Sequence, residues 1–152
     1  MALVAVFVAV LLVLNRGRRS ETVRLSEMFP HGVVISTSVN NDRRDAIETV
    51  GSFMRRVKLP VEMRVVLTPH SIQFWRRDLN KPVIDITGSR IKYEVGEYFT
   101  IAGGFRCLKA RVPYDGHDVE IPFFPLNTRK IWPTALPRED LERIADHLNR
   151  IG

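Results

Sequence analysis

The chain has 152 residues, of which 45% are hydrophobic and 26% charged, a composition typical of one globular domain with a short appendage. Three of its 23 basic residues, Arg16, Arg18 and Arg19, fall within four positions, and the remaining 20 face 17 acidic residues. This balance argues against nucleic-acid binding, for which a basic stripe runs through the folded domain. Cys107 is the only cysteine, which excludes an intramolecular disulfide and a cysteine-rich metal site and is typical of a reducing compartment.

The chain begins with an apolar run, residues 2–14, that ends at the three arginines. As a helix this run spans roughly 20 Å, against about 30 Å of bilayer hydrocarbon. A secretion signal has its positive charge before the apolar region, the reverse of the order here. Arginines directly after an apolar run are typical of the cytoplasmic membrane face. Residues 1–19 are therefore predicted to form an N-terminal transmembrane anchor that stops at Arg16, Arg18 and Arg19. Two alternatives are a longer natural segment beginning upstream of Met1 and a buried helix of a soluble domain.

A polar linker is predicted over residues 20–31, followed by a strand–helix extension over residues 32–60. The sequence "GVVIST" is rich in β-branched residues and predicts a strand at 32–37. The next segment, 42–58, carries apolar residues at three- and four-residue spacings, which predicts a helix that Pro60 ends. The apolar stripe of this helix consists of Ala46, Ile47, Val50, Phe53, Met54 and Val57.

From residue 61 the apolar period changes to two, as in a strand with one buried face. Met63, Val65 and Leu67 are predicted to point inward, with Arg64 and Val66 on the other face. Similar patterns predict six further strands at 71–77, 82–87, 90–95, 97–102, 105–112 and 117–124. Hairpin turns are predicted at Gly103-Gly104 and Asp115-Gly116. The chain closes with a helix that begins at Pro137 and has an apolar stripe formed by Leu141, Ile144, Ala145, Leu148 and Ile151.

Seven strands followed by one amphipathic helix, with "VVLTPHSIQFWRR" and "KPVIDITGSRI" in the first three strands, resemble the bacterial pleckstrin-homology-like (PH-like) domains. Several such domains follow a membrane segment. For residues 61–152 the resemblance implies a seven-stranded antiparallel barrel capped by the C-terminal helix. The whole chain would then be an α+β protein with an N-terminal membrane helix and the strand–helix extension. The first hairpin loop, "TPHS", lacks the basic residues of phosphoinositide-binding members, so specific inositol-phosphate recognition is not expected.

Catalytic chemistry has little support in the sequence, because no nucleophile elbow, zinc-protease motif, P-loop or dinucleotide fingerprint occurs. A divalent metal would find oxygen and imidazole ligands in "DGHDVE", residues 115–120, but Asp-Gly is first of all a turn. Strand alternation also sends His117 and Asp118 to opposite faces. Cys107 would be a nucleophile beside a base, or simply a half-buried small residue. No catalytic residue, metal or cofactor is predicted.

The sequence gives more support for binding surfaces than for catalysis. Five basic residues are candidates for contact with anionic headgroups, the alternative being ordinary solvated surface: Arg55, Arg56, Lys58, Arg76 and Arg77. Three aromatic residues are candidates for contact with a protein partner, or else belong to the core: Trp75, Phe124 and Trp132.

The sequence thus predicts a non-enzymatic adaptor in the cell membrane, with a single pass and its domain on the cytoplasmic side. The domain would bind a protein partner or anionic lipid, and no nucleic acid. The first alternative is a peripheral lipid-recognition module. The second is an enzyme that uses Cys107 or residues 115–120.

Overall fold

The computed structural model describes residues 17, 19–38, 46–47, 50, 62–76, 81–100, 103–127 and 134–151. In this part of the chain nine β-strands form three antiparallel sheets, and helices pack on them. The first helix includes residues 19–28, which the sequence assigned mostly to a linker, and the C-terminal helix is Arg138–Arg150. Residues 46, 47 and 50 are also helical, while the rest of the helix predicted over 42–58 lies outside the described residues.

The larger sheet has four strands in the order β1-β2-β3-β4. These are β1 (Val33–Ser38), β2 (Glu62–Leu67), β3 (Ser71–Trp75) and β4 (Pro82–Thr87). The register of the first pair runs from Val33 opposite Leu67 to Ser38 opposite Glu62. The strand that the sequence assigned to an extension is therefore an edge strand of this sheet.

The second sheet has three strands in the order β5-β6-β7. They are β5 (Lys92–Thr100), β6 (Gly103–Tyr114) and β7 (His117–Phe123). The predicted Asp115-Gly116 turn is confirmed: both residues have positive φ, 47° and 79°, as a tight two-residue hairpin requires. A third, two-stranded sheet consists of β8 (Leu126–Asn127) and β9 (Thr134–Ala135).

One hydrophobic core lies between the inner faces of the two larger sheets and the C-terminal helix. The predicted apolar stripe of this helix is confirmed at Leu141, Ala145 and Leu148, which are buried. The helix is fixed to β5 by Asn149, whose amide donates to the carbonyl of Tyr93 at 2.7 Å and whose oxygen accepts from the Tyr93 N–H at 3.0 Å. The largest fully buried members of this core are Phe74, Phe123, Ile47, Met63, Leu67, Ile72, Ile84, Ile91, Leu108 and Ile121.

A second, smaller core lies on the outer face of the four-stranded sheet, beneath the first helix. Leu25 is fully buried there against Val66 and Trp75, and Phe29 packs edge-on against Trp75 with ring centroids 5.7 Å apart. The expectation that β2 has only one buried face is wrong, because Val66 and Arg64 on its outer face are 0% and 5% exposed. The first helix removes that outer face from water.

The predicted seven-stranded barrel is also wrong. Barrel closure needs every strand to be hydrogen-bonded on both sides. In the part of the chain that the structure describes, β4 does not pair with β5, and β1 meets the segment after β7 through a single bridge between Thr37 and Pro125. The strands therefore form separate, open sheets.

The two strands predicted at 90–95 and 97–102 are a single strand. β5 continues through Gly96, which lies opposite Cys107 in an unbroken register. A Cβ at position 96 would lie 2.8 Å from Cε of Lys109, so the absence of a side chain there lets the lysine chain cross the strand. Gly96 therefore accommodates a close approach and makes no turn.

The expected N-terminal membrane helix has no support in the described part of the chain either. Among the described residues no helix combines the length and the apolar character that are needed to cross a membrane. The apolar run 2–14, Arg16 and Arg18 lie outside the described residues, and Arg19 is exposed on the first helix.

Candidate functional site

The two ends of the molecule carry different residues, and we define each end by the direction of the strands that meet there. In the four-stranded sheet, β1 and β3 finish at the end where β2 and β4 begin. We call this the basal end, and we call the opposite end the distal end. The first helix leads through Gly32 into β1, so its C-terminal end is distal. Earlier in the same helix, the Glu21 carboxylate lies 3.7 Å from Nη2 of Arg64. Arg64 in turn lies opposite Ser36, toward the end of β1. The described part of the first helix therefore begins at the basal end, and the chain that precedes it enters the fold there.

Four exposed cations lie at the basal end. Arg19 precedes the Glu21 contact on the first helix, Arg76 follows the last residue of β3, and Lys81 precedes the first residue of β4. Arg106 lies on β6, opposite Glu97 of β5. Three parts of the chain that are distant in sequence thus bring positive charge to one end of the fold: the first helix, the residues next to β3 and β4, and β6.

Phe124 links the two larger sheets at the same end, through its ring on one side and its backbone on the other. The Phe124 ring, directly after β7, packs edge-on against Tyr98 with centroids 5.8 Å apart. The backbone N–H of Phe124 donates to Oγ1 of Thr37, near the end of β1, at 3.3 Å. This contact places the far end of β5, and the hairpin that it forms with β6, at the basal end. Phe99 and Phe105 of that hairpin are 73% and 47% exposed.

The distal end is held by a hydrogen-bonded corner of polar groups. The Thr68 hydroxyl accepts from the backbone N–H of Ser71 at 2.8 Å, closing the β2–β3 turn. The imidazole Nδ1 of His70 lies 2.8 Å from the carbonyl oxygen of Ser89. The Tyr93 hydroxyl donates to the Thr68 carbonyl at 2.7 Å, and burial raises the pKa of this hydroxyl, so it stays a donor. These groups satisfy one another within the fold.

A charged ladder lies on the outer face of the three-stranded sheet. Arg111 of β6 contacts Glu94 at 2.7 Å and Glu120 at 3.1 Å, and Lys109 contacts Glu120 at 3.3 Å. Slight burial raises the pKa of Glu120, but the hydrogen bonds and charges of Lys109 and Arg111 outweigh it and hold this pKa below its ordinary value. The ladder therefore neutralises its own charges rather than presenting an unpaired site.

The aromatic residues predicted as partner contacts have different surroundings. Trp75 is 5% exposed beneath the first helix, so its ring packs inside the molecule. Phe124 is half-buried against Tyr98. Of the predicted residues, only Arg19, Arg76, Trp75 and Phe124 are described, and the others lie outside the described residues: Arg16, Arg18, Arg55, Arg56, Lys58, Arg77 and Trp132.

The groups considered for catalysis are not assembled. Cys107 is fully buried, with Sγ 3.6 Å from the carbonyl oxygen of Gly96. In "DGHDVE", the His117 ring packs edge-on against Tyr114, while Glu120 belongs to the charged ladder. No group of three or more histidine, cysteine or acidic side chains within the described residues is arranged to hold a metal ion.

Comparison with known proteins gives no relative, because no family model, curated protein or solved structure matches the chain. The similarity to bacterial PH-like proteins therefore stays a prediction.

Proposed function

We propose that the chain is a non-enzymatic adaptor held at the cytoplasmic face of a cell membrane, with its basal end toward the lipid. The observation that carries this proposal is the direction of the first helix. The helix starts at the end that also bears Arg19, Arg76, Lys81 and Arg106, so the apolar run 2–14 joins the fold beside a cluster of cations.

The docked helix gives the attachment a defined orientation. Leu25 and Phe29 fix it on Val66 and Trp75, so the described part of the helix keeps its place on the sheets. The apolar run is therefore expected to hold the basal end, with its cations, nearest the lipid. Near an anionic surface each cation contributes on the order of 1 kcal/mol.

The non-enzymatic part of the proposal rests on how the reactive groups are used. Cys107 is buried in a strand, and Lys109, Arg111, Glu94 and Glu120 are engaged with one another. In the proposed orientation the distal end faces away from the lipid, where a cytosolic protein partner has access to it.

Vesicle flotation of the full chain tests membrane attachment. The wild-type chain is expected to float with vesicles of phosphatidylcholine and phosphatidylglycerol. The double variant Val8→Asp/Leu12→Asp is expected to remain unbound, because each acid in an apolar segment costs roughly 2.5–3.5 kcal/mol, which is about a hundredfold in partitioning.

The matched control places the same two acids on the exposed side of the first helix. Val23 and Met28 are 51% and 49% exposed, so Val23→Asp/Met28→Asp adds equal charge without entering the apolar run. This control is expected to float like the wild type. A wild-type chain that fails to float, or a Val8→Asp/Leu12→Asp chain that floats as well as the control, would overturn the proposal.

A further inference from the structure

The hairpin formed by β5 and β6 extends beyond the rest of its sheet. β7 ends where Phe123 lies opposite Leu108, whereas β5 and β6 continue to pair from Gly96 opposite Cys107 to Thr100 opposite Gly103. Four residues of extended strand beyond Gly96 reach about 14 Å. The hairpin therefore projects at the basal end with no third strand beside it in the described part of the sheet.

The projecting part carries aromatic rings on both faces. Tyr98 and Phe105 lie opposite each other on one face, and strand alternation puts Phe99 on the other. Phe99 is 73% exposed, and its ring lies over Gly104, where an added Cβ would be only 3.0 Å from its Cε1 atom. Gly104 thus leaves the space that this ring occupies.

The tip has the composition of a segment that leaves water. Residues 99–105, "FTIAGGF", contain no charged residue, and Glu97 and Arg106 flank them. The two exposed phenylalanine rings, one on each face of a short hairpin, offer apolar area that a covering surface would remove from water. Aromatic rings next to a cation are also typical of the membrane–water interface.

The position of the hairpin decides what covers it. The Tyr98–Phe124 and Phe124–Thr37 contacts fix it at the basal end, where the first helix starts and where Arg19, Arg76 and Lys81 are exposed. A bilayer that receives residues 2–14 and attracts these cations is within reach of the tip.

We infer that the rings of Phe99 and Phe105 insert into the interfacial layer of the same membrane, as a second contact beside the apolar run. This inference rests on the proposed function and adds to it a specific lipid-contacting element. The hairpin contact fixes the rotation of the fold about the first helix, which a single attachment leaves open. A protein partner that covers the same rings is the competing occupant.

Tryptophan quenching by lipids with brominated acyl chains tests the inference in the full chain. Phe99→Trp places the probe at the tip, and Tyr114→Trp places a matched probe at the other end of β6, where Tyr114 is 38% exposed. Both are aromatic replacements at exposed sites, and subtraction of the wild-type signal removes the contribution of Trp75 and Trp132. The additional emission of Phe99→Trp is expected to be quenched, and that of Tyr114→Trp is expected to be unaffected.

Flotation of the same samples separates the two proposals. If both variants float and their additional emission is quenched equally, or not at all, the hairpin inference is overturned while the proposed function stands. If neither variant nor the wild type floats, the proposed function fails and the hairpin inference fails with it. Preferential quenching of Phe99→Trp supports the inference and excludes a water-exposed tip reserved for a protein partner.

Discussion

The two ends of β6 lie in the same sheet and yet end in opposite kinds of hairpin. At the distal end the turn is Asp115-Gly116, followed by His117 and Asp118, and all four residues are exposed and hydrophilic or small. At the basal end the hairpin contains the uncharged stretch 99–105, with two exposed phenylalanine rings. A polar hairpin needs no cover, whereas the apolar one needs a surface to enter. Such a difference is expected of a molecule that faces two environments, as we propose.

The same contrast holds for the other elements at each end. Distally, Thr68, His70, Ser89 and Tyr93 satisfy one another by hydrogen bonds. The basal end instead presents exposed cations and the start of the first helix. The comparison teaches that a hydrogen-bonded corner holds the distal end together, whereas the basal end has exposed aromatic rings beside its cations.

The largest expected effect comes from Leu25→Ala, which breaks the link between the apolar run and the basal end. Leu25 is fully buried between the first helix and the four-stranded sheet, so its truncation is expected to lower the free energy of unfolding by about 2–5 kcal/mol. Urea denaturation measures the change. Val23→Ala on the exposed side of the same helix is expected to change it by less than about 0.5 kcal/mol. Equal effects of the two variants would show that the helix is not docked.

The next effect separates the two hairpins directly. Phe99→Ser/Phe105→Ser is expected to weaken binding of the full chain to anionic vesicles by about tenfold for each ring, because apolar area no longer leaves water. Tyr114→Ser, at the distal end, is expected to leave the affinity unchanged. A vesicle titration in which the distal variant binds as weakly as the basal one contradicts the comparison.

A smaller effect is expected from the basal cations. Arg76→Gln/Lys81→Gln removes two charges worth on the order of 1 kcal/mol each at an anionic surface, which corresponds to about thirtyfold in affinity. The loss should fade in high salt, because screening weakens exposed charges. Lys92→Gln is the distal control, since Lys92 is exposed at the first residue of β5. Salt-independent losses, or an equal loss for Lys92→Gln, would argue against charge attraction at the basal end.

The smallest effect concerns the charged ladder, which supports the sheet between the two ends. The pKa of Glu120 is lower in the folded chain than its ordinary 4.5. The ion pairs of Glu120 therefore contribute fully to stability above pH 4.5, and this contribution is lost as the pH falls through the folded pKa. Glu120→Gln is expected to lower stability at pH 7 by less than about 1 kcal/mol, as for exposed pairs. It should also flatten the stability profile below pH 4.5. Urea midpoints measured across this range check both statements.

Local signals predicted many of the elements. Asp115-Gly116 predicted its hairpin because positive φ at both residues suits a glycine and tolerates an aspartate. The spacing of Leu141, Ala145 and Leu148 predicted the C-terminal helix, because one face of it is buried by neighbouring strands. Both patterns are properties of a few adjacent residues.

Features set by distant residues were missed. Arg64 and Val66 were assigned to a solvated face because alternation within β2 does not reveal that residues 19–28 cover it. Trp75 was considered a partner contact for the same reason, although Phe29 and Leu25 enclose it. The barrel prediction failed because strand count and order do not determine which edges pair.

The aromatic hairpin was also overlooked, although a signal for it exists in the sequence. The apolar pattern of residues 97–102 and 105–112 predicts two ordinary strands, and Phe124 is the nearby residue that the sequence offers as a partner contact. The uncharged stretch 99–105 between Glu97 and Arg106 distinguishes this hairpin from the Asp115-Gly116 one. Its exposure follows only from the register, in which β7 ends before the tip.

The most direct test of the central claim measures which end of the fold lies nearer the lipid. In a full chain with Cys107→Ala, which removes the only cysteine, Glu97→Cys provides a basal labelling site and Asp118→Cys a distal one. Both substitutions replace exposed acidic residues. The residues that lie opposite these two positions on β6, Arg106 and Pro113, are about 24 Å apart along the strand. Energy transfer from each label to an acceptor lipid is then measured in vesicles that carry the chain. Higher transfer from position 97 than from position 118 is the predicted result, and equal or reversed transfer would contradict the account.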